Sequence, residues 1–300
     1  MTEKSKELFY QSLHKADYFW IILSLIVGVI SYYSRAYRWK YALEPIGYES
    51  SSKNRFYAVM IGYMINLTIP RAGEASRAVA LSKSDGVPFT IGFGTIVSER
   101  IVDIIFLLII TLISFFLGQD DFMKIKELIE DYFGPKSAST SLTIYLLMGI
   151  FIVACLVLYG ANKKIRVKIR EVVISLYKSA LSIFKTKNPL AYILHSLLIW
   201  ICFLVMFYLP FLSFEATKDL PLSCVLLAFI AGSLGISLTN GGLGSYPLLV
   251  GIVIAYFLED LPQDEAFAIG NALGLIVWVS QTLLLIVLGL ISWFLIPKKL

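Results

Sequence analysis

The chain has 300 residues, of which 58% are hydrophobic and only 16% are charged. Its mean hydropathy of +0.77 is more apolar than the core of one soluble domain can accommodate, which excludes an ordinary soluble protein. The net charge of +5 is carried mostly in short connections between apolar runs, so it indicates membrane topology and not nucleic-acid binding. The sequence therefore predicts an all-α, polytopic membrane protein.

Apolar segments follow one another along the whole chain. A helix that crosses a bilayer needs about 20 mostly apolar residues, and five segments qualify: residues 18–34, 101–117, 142–160, 190–212 and 266–296. Three more are short or broken, at residues 57–69, 222–238 and 245–258. The predicted fold is a transmembrane helical bundle of about seven to eight membrane segments, including broken or re-entrant helices, in a single domain over residues 1–300.

Lysine and arginine in the connections predict the orientation. Connection 118–140 has no basic excess and is expected outside, whereas 161–188 holds eight basic residues and one acid and is expected in the cytoplasm. Lys298 and Lys299 predict a cytoplasmic C-terminus. Two alternatives remain open for the N-terminal third: segment 57–69 is re-entrant and the N-terminus lies outside, or it crosses and the N-terminus lies inside.

The first broken segment ends in charged residues. Pro70 and Gly73 interrupt it, and Arg71, Glu74 and Arg77 follow at spacings of three. A helix that begins near Pro70 would bring neighbouring pairs within reach of each other, so that Glu74 orients both arginines. Two arginines held in this way offer forked donors that match the oxygens of a phosphate.

A second charged cluster, Glu99, Arg100 and Asp103, stands at the head of an uninterrupted apolar run. A charge at the centre of a lipid-facing helix costs about 2.5 to 3.5 kcal/mol on insertion scales, so we expect these residues to face the protein interior and to pair with the first cluster. Two interpretations stay open. The six charges neutralise one another and fix the packing, or they line a polar cavity that binds substrate.

A third interruption lies in the second half of the chain, at Asn240, Gly241, Gly242, Leu243 and Gly244. Backbone amides at a new helix start can hold an anion, and we expect this at both interruptions. The stretch ISLTNGGLGSYP from Ile236 also shares Ile, Leu, Thr and Gly at equal offsets with INLTIPRAGEAS from Ile65. Interrupted segments in corresponding halves are typical of a transporter's binding site. Further along, Gly270 and Gly274 predict a close helix contact.

These motifs together resemble the flippase-like membrane domain of the lysylphosphatidylglycerol synthase transmembrane family. The resemblance covers about residues 24–293 and is carried by P-R-A-G-E-x-x-R, by E-R-x-x-D, by the glycine turn and by the pair Arg38-Trp39. It implies a domain that moves an anionic lipid between leaflets. Asn240 and Pro247 depart from the family's third motif, which commonly has proline before the glycines and an acid after them, so the substrate is expected to differ.

The resemblance implies substrate-binding roles for the matching positions. Arg71, Arg77 and Arg100 are expected to contact phosphate, and Glu74, Glu99 and Asp103 to orient them. Backbone amides are expected from the turn, and the full set of predicted site residues adds Gly73, Asn240, Gly241, Gly242 and Gly244. No catalytic residue, metal site or cofactor is predicted, because the three cysteines are widely spaced in apolar segments and no phosphate-binding P-loop is present.

The leading prediction is a lipid flippase or transporter of the inner (plasma) membrane that moves an anionic or lipid-linked head group through a polar cavity. Expected partners are an anionic phospholipid or a polyprenyl-linked lipid and a lipid-modifying enzyme, with the oligomeric state left open. Synthase activity is not expected, since the soluble aminoacyltransferase domain of fused family members has no counterpart here. Two alternatives remain: a membrane-embedded transferase with Glu74 or Glu99 as general base, and a non-catalytic partner of a separate synthase or glycosyltransferase.

Overall fold

A computed structural model describes residues 3–119, 186–239 and 241–297, and in addition residues 121, 124, 125, 170, 171 and 174. The predicted span at 142–160, most of the connections on either side of it, Lys298 and Lys299 lie outside the described residues. Within the described part of the chain there are nine α-helices and no β-strand, which confirms the all-α prediction.

The helices are α1 (Glu3–Lys15), α2 (Tyr18–Leu43), α3 (Ser52–Thr68), α4 (Ala72–Asp85), α5 (Phe89–Leu117), α6 (Pro189–Tyr208), α7 (Leu222–Leu238), α8 (Ser245–Phe257) and α9 (Gln263–Leu295). Short 3₁₀ turns, Glu44–Ile46 and Leu209–Ser213, follow α2 and α6. Within the described ranges, four stretches are long and apolar enough to cross a membrane: Tyr18–Ile46, Phe89–Leu117, Pro189–Ser213 and Gln263–Leu295. On α5, Ile104, Leu108 and Leu112 are each more than half exposed, as expected of a lipid-facing surface.

Helix α2 is longer than the apolar segment that predicted it. The segment ends at residue 34, but the helix continues to Leu43. Arg35, Arg38 and Trp39 in this extension are buried against other helices. Polar side chains that face protein lower the hydropathy of a helix without ending it, which is why the predicted boundary was wrong.

Helices α3 and α4 form an antiparallel hairpin, here called the first hairpin. At its base, the N–H of Ser51 and the side-chain amide of Asn54 donate to the Asp85 carboxylate at 3.2 and 3.1 Å. Near its tip the backbones pack closely, because a Cβ atom added to Gly62 would lie 2.8 Å from the carbonyl oxygen of Gly73. The chain therefore returns to the end from which it came, which favours the re-entrant alternative over a full crossing.

Helices α7 and α8 form a second hairpin, which enters from the opposite end. Helix α6 runs antiparallel to α2, since the Asp17 N–H donates to the Ser213 carbonyl at 2.9 Å and Ser34 Oγ lies 2.8 Å from His195 Nδ1. The second hairpin thus begins beside the start of α2. Its turn reaches the tip of the first hairpin, where a Cβ atom on Gly241 would lie 3.6 Å from the Cα atom of Leu67.

The order of long helix, 3₁₀ turn, short hairpin and long helix occurs twice, as α2–α5 and as α6–α9. The two long helices that open the repeats begin at Tyr18 and Pro189, 171 positions apart, the same offset that separates the similar stretches at Ile65 and Ile236. Each repeat has its own buried apolar cluster. Tyr32 and Phe203, at equivalent positions, contact each other with ring centroids 6.4 Å apart. The repeats are therefore inverted relative to each other.

Helix α1 lies across the end of the bundle at which α9 begins. Lys4 Nζ is 2.6 Å from a Glu265 carboxylate oxygen, and Ser5 Oγ donates to Asp264 Oδ2 at 2.8 Å. The hydrogen bond with Glu265 raises the pKa of the Lys4 ammonium. The N-terminus and the acidic connection before α9 therefore share one end of the molecule, and the base of the first hairpin lies at the other.

Candidate functional site

A buried network of charged side chains lies between the first hairpin and helices α2 and α5. Its centre is Asp103, whose two carboxylate oxygens accept from Arg35 Nη1 at 2.8 Å and from Arg38 Nη2 at 3.2 Å. Arg100 Nη1 is 3.4 Å from the same carboxylate. Asp103 on α5 thus joins two arginines of α2, and all three side chains are less than a tenth exposed.

Glu99, one helical turn before Asp103, connects the network to the first hairpin. Its carboxylate accepts from Arg77 Nη1 of α4 at 2.8 Å and lies 3.9 Å from Arg38 Nη2. The Glu99 side chain is fully buried. The predicted pairing of the two charged clusters is therefore present in the structure, and burial makes each partner depend on the other.

Glu74 and Arg100 form the more exposed edge of the network. Arg100 Nη2 lies 3.2 Å from Glu74 Oε1, with side chains 41% and 24% exposed. The expectation that Glu74 orients Arg71 and Arg77 is not met, since the only ion pair of Glu74 among the described residues is the one with Arg100. Arg71 precedes α4 with a left-handed φ of 63°, so its side chain leaves the helical register that the spacing rule assumes.

Aromatic residues hold two of the arginines in place. The Arg77 guanidinium carbon lies 3.8 Å from the centre of the Trp39 ring, a cation–π contact. Trp39 is itself fixed by a hydrogen bond from Nε1 to Thr95 Oγ1 at 2.8 Å. Arg38 lies over the Tyr192 ring at 5.2 Å and donates to Ser196 Oγ at 2.9 Å. The orientation of these guanidinium groups is therefore set by protein contacts.

Several guanidinium donors of the network have no hydrogen-bond partner among the described residues. They are Nε and Nη2 of Arg77 and the Nε atoms of Arg35, Arg38 and Arg100, all shielded from solvent, and the acceptor Glu99 Oε1 is likewise without a partner. Arg35, Arg77 and Arg100 line a common cavity with Asn66, Gly73 and Glu74. Its volume is about 20 Å³, enough for one water and too small for a phosphate group. The structure is therefore closed around donors that are left without acceptors.

The tip of the first hairpin is held by its own side chains. The Gly73 N–H, in the first turn of α4, donates to Asn66 Oδ1 at 2.9 Å. This amide is consequently not free for an anion, contrary to the expectation for a helix start. Arg71 is exposed at the tip and forms no ion pair among the described residues, so the structure does not bring it into the network.

The glycine turn of the second hairpin lies apart from the charged network. Gly241, Gly242 and Gly244 all have positive φ values, between 66° and 82°, which glycine adopts without strain. Trp278 Nε1 donates to the Gly241 carbonyl at 2.7 Å. In the first turn of α8, Pro247 has no N–H and the Tyr246 N–H donates to Gly242, so this turn offers few amides to an anion. Asn240 lies outside the described residues.

Sequence reasoning missed Arg35, Arg38 and Asn66. Neither arginine was among the predicted site residues, although Arg38 belongs to the Arg-Trp pair of the family resemblance, and they are 3% and 0% exposed. Their spacing of three on a helix with the buried Trp39 was the available signal. Asn66 carried no signal, because its role depends on the fold of the hairpin.

Comparison with known proteins identifies the same family that the sequence motifs resemble, and the match covers nearly the whole chain. The family model for the lysylphosphatidylglycerol synthase TM region matches residues 3–289. A UPF0104 membrane protein of Methanocaldococcus jannaschii is 26% identical over 304 aligned residues, which cover 93% of this chain and 85% of that protein. The glycosyltransferase AglD of Haloferax volcanii is 29% identical over 94 residues, 31% of this chain and 15% of that enzyme. No solved structure matches the chain.

Proposed function

The chain belongs to the lysylphosphatidylglycerol synthase TM region family, and from this premise we propose that it moves lipids with an anionic head group between the leaflets of a membrane. The observation that carries the proposal is the set of unpartnered guanidinium donors of Arg35, Arg77 and Arg100, which line one cavity beside a broken helical hairpin. Buried donors without acceptors cost free energy. A phosphate group would supply the acceptors.

This observation also favours substrate binding over the purely structural interpretation of the charges. A network built only for packing would satisfy its own donors, since each buried unsatisfied group costs about 1 to 3 kcal/mol. Here Asp103 uses both of its carboxylate oxygens and Glu99 uses only Oε2, yet Arg77 uses only one of its three guanidinium nitrogens in a hydrogen bond. The remaining fork is of the kind that binds phosphate oxygens in a bidentate way.

Transport requires the cavity to open. The Glu74–Arg100 ion pair is the more exposed edge of the network, and it joins the first hairpin to α5. Separation of this pair, with movement of α4 away from α5, would admit a head group from the side. Arg71 at the exposed tip is then placed to meet the phosphate as it enters, which gives this predicted residue a role in the open state.

We further propose that the base of the first hairpin faces the cytoplasm of a cell whose plasma membrane holds the protein. Lys53, Lys83 and Lys187 are exposed at this end, whereas Glu259 and Asp260 lie at the other, as the positive-inside rule requires. The C-terminus is then cytoplasmic. A membrane-impermeant thiol reagent added to intact cells should label Lys6→Cys on α1 and leave Lys53→Cys unlabelled; the reverse pattern would contradict this orientation.

The enzyme alternative receives less support from the site. Glu74 and Glu99 both form ion pairs with arginine, and Glu99 is fully buried, whereas a general base must lie within hydrogen-bond reach of the proton that it abstracts. The similarity to part of a glycosyltransferase supports the other alternative, a role beside a separate lipid-modifying enzyme.

Lipid transport by the purified protein in liposomes tests the proposal. Head-group-labelled anionic lipid is incorporated, and a membrane-impermeant quencher reports the lipid that reaches the outer leaflet. We expect wild type to transport, and Arg77→Lys, which keeps the charge and loses the fork, to be at least about tenfold slower. The matched control Arg170→Lys, at an exposed position, should equal wild type. Equal rates for Arg77→Lys and wild type would contradict the assigned site.

A further inference from the structure

The charged network is not electrically balanced. It contains four guanidinium groups and three carboxylates: Arg35, Arg38, Arg77, Arg100, Glu74, Glu99 and Asp103. Arginine stays protonated in proteins, and each carboxylate forms an ion pair with a guanidinium nitrogen within 3.2 Å. One positive charge is therefore in excess.

The surroundings do not neutralise this charge. Among the described residues, no further carboxylate lies within salt-bridge distance of the four arginines. Asp85 is hydrogen-bonded at the base of the hairpin, and Arg55, also buried, donates to the Ala36 carbonyl and to serine oxygens, so it adds positive charge. The predicted span at 142–160 carries no charged residue in its sequence. Three of the four guanidinium groups are at most 5% exposed, and an uncompensated charge among them is costly, so an anion of charge −1 would balance the network.

The number of unpartnered donors also points to a ligand with one negative charge. Arg77 contributes Nε and Nη2, and Arg35 and Arg100 each contribute Nε, so the three arginines that line the cavity have four donors without partners among the described residues. A phosphodiester has two non-bridging oxygens, each with two lone pairs, and one negative charge. A diphosphate brings more oxygens than the donors can satisfy and at least one additional negative charge. Arg71 is exposed at the tip and is not counted among these charges and donors.

We propose that the cavity selects a single phosphodiester and discriminates against a diphosphate. This inference rests on the proposed lipid transport and narrows its substrate class. The phosphodiester can belong to a glycerophospholipid or to a polyprenol joined to a sugar through one phosphate, because both present the same two oxygens and the same charge to the arginines.

The test compares three labelled lipids in liposomes: phosphatidylglycerol, a sugar-phosphate polyprenol and a sugar-diphosphate polyprenol. We expect one or both phosphodiesters to move at least tenfold faster than the diphosphate, and the faster of the two identifies the source. Glu74→Gln raises the excess charge to two and frees the second nitrogen of Arg100, so the diphosphate-to-phosphodiester rate ratio should rise at least tenfold. Glu215→Gln, exposed at the far end, should leave the ratio unchanged.

A binding measurement makes the result independent of any variant. The thermal unfolding midpoint of the detergent-solubilised wild type should rise more with glycerophosphoglycerol than with pyrophosphate at equal concentration. Transport of no lipid would overturn the proposed function itself. Equal transport of phosphodiester and diphosphate, with a ratio that Glu74→Gln does not change, would overturn the charge-matching inference and leave lipid transport standing.

Discussion

The two hairpins occupy equivalent places in the two repeats, yet they pack against their long helices in different ways. In the second repeat, α8 and α9 are in close contact: a Cβ atom on Gly270 would lie 2.8 Å from the Gly251 carbonyl oxygen, and one on Gly274 would lie 2.9 Å from the Cα atom of Pro247. In the first repeat, α4 and α5 meet through ion pairs and a small cavity. The predicted close contact at Gly270 and Gly274 is thus confirmed.

Residues at equivalent positions explain this difference. At the offset of 171 residues, Arg77 corresponds to Leu248, Glu99 to Gly270 and Asp103 to Gly274. At these positions one repeat has charged side chains between its helices, and the other has small or apolar residues that let the backbones touch. Close-packed helices resist relative movement, whereas ion pairs beside a cavity can separate when an anion competes for them. We infer that the first hairpin moves and that the second is its fixed support.

Disulfide cross-links should give the largest effect on lipid transport, and they test whether the first hairpin moves while the second stays fixed. In a variant without Cys155, Cys202 and Cys224, the pair Ala78→Cys and Gly92→Cys would join α4 to α5, since a Cβ atom on Gly92 would lie 3.6 Å from that of Ala78, within the range for a disulfide. We expect oxidation to abolish lipid transport and a reductant to restore it, because α4 can no longer leave α5.

The matched cross-link lies in the second repeat. Val250→Cys and Gly274→Cys would join α8 to α9, where a Cβ atom on Gly274 would lie 3.2 Å from that of Val250. Oxidation of this pair should leave the transport rate of the folded protein unchanged. If the second cross-link stops transport and the first does not, the roles assigned to the two hairpins are reversed.

Removal of one partner from the buried network gives the next largest effect. Glu99→Ala leaves Arg77 and its neighbour Arg38 without this carboxylate in a buried site, and such a loss costs about 3 to 5 kcal/mol. The free energy of unfolding, measured by titration with a denaturing detergent, should fall by that amount. The double variant Arg77→Met with Glu99→Leu removes both charges of the pair, so most of the stability should return.

The double variant separates the two interpretations of the charges. If the network serves only packing, restored stability should bring restored transport. If Arg77 binds the head group, the stable double variant should remain inactive. A stable and fully active double variant would therefore contradict a substrate-binding role for Arg77. The first hairpin would then differ from the second only in the chemistry of its packing.

Much of the architecture was predictable from the sequence, because hydropathy and helix-breaking residues act locally. The long apolar runs predicted α5, α6 and α9, and Pro70 and Gly241 predicted the two interruptions. The pairing of Arg77 with Glu99 followed from the cost of isolated charges in a membrane. Each of these predictions used only residues that lie close together in the sequence or that share one physical constraint.

The remainder depended on contacts between distant segments. Arg35 bonds to Asp103, which is 68 positions away, and Asn66 reaches Gly73 only because the chain turns back at the tip. Glu74 pairs with Arg100, one of the three arginines that it was expected to orient, but not with Arg71, which adopts a left-handed conformation before the helix begins, nor with Arg77, which pairs with Glu99. Helical spacing rules cannot apply to a residue outside the helix, and Pro70 predicted the start of α4 only to within two residues, which left Arg71 just outside it.

The smallest effect concerns the single hydrogen bonds that hold the two tips. Asn66→Ala removes the acceptor of the Gly73 N–H, and Trp278→Phe removes the donor to the Gly241 carbonyl; each loss should lower the free energy of unfolding by about 1 kcal/mol. Only Asn66→Ala should change transport, by up to about fivefold, since 1 kcal/mol at a moving tip alters its rate by that factor. Equal stability losses with unequal transport rates would separate a moving tip from a fixed one. Equal losses of transport would instead show that the two tips, which touch at Leu67 and Gly241, act as one element.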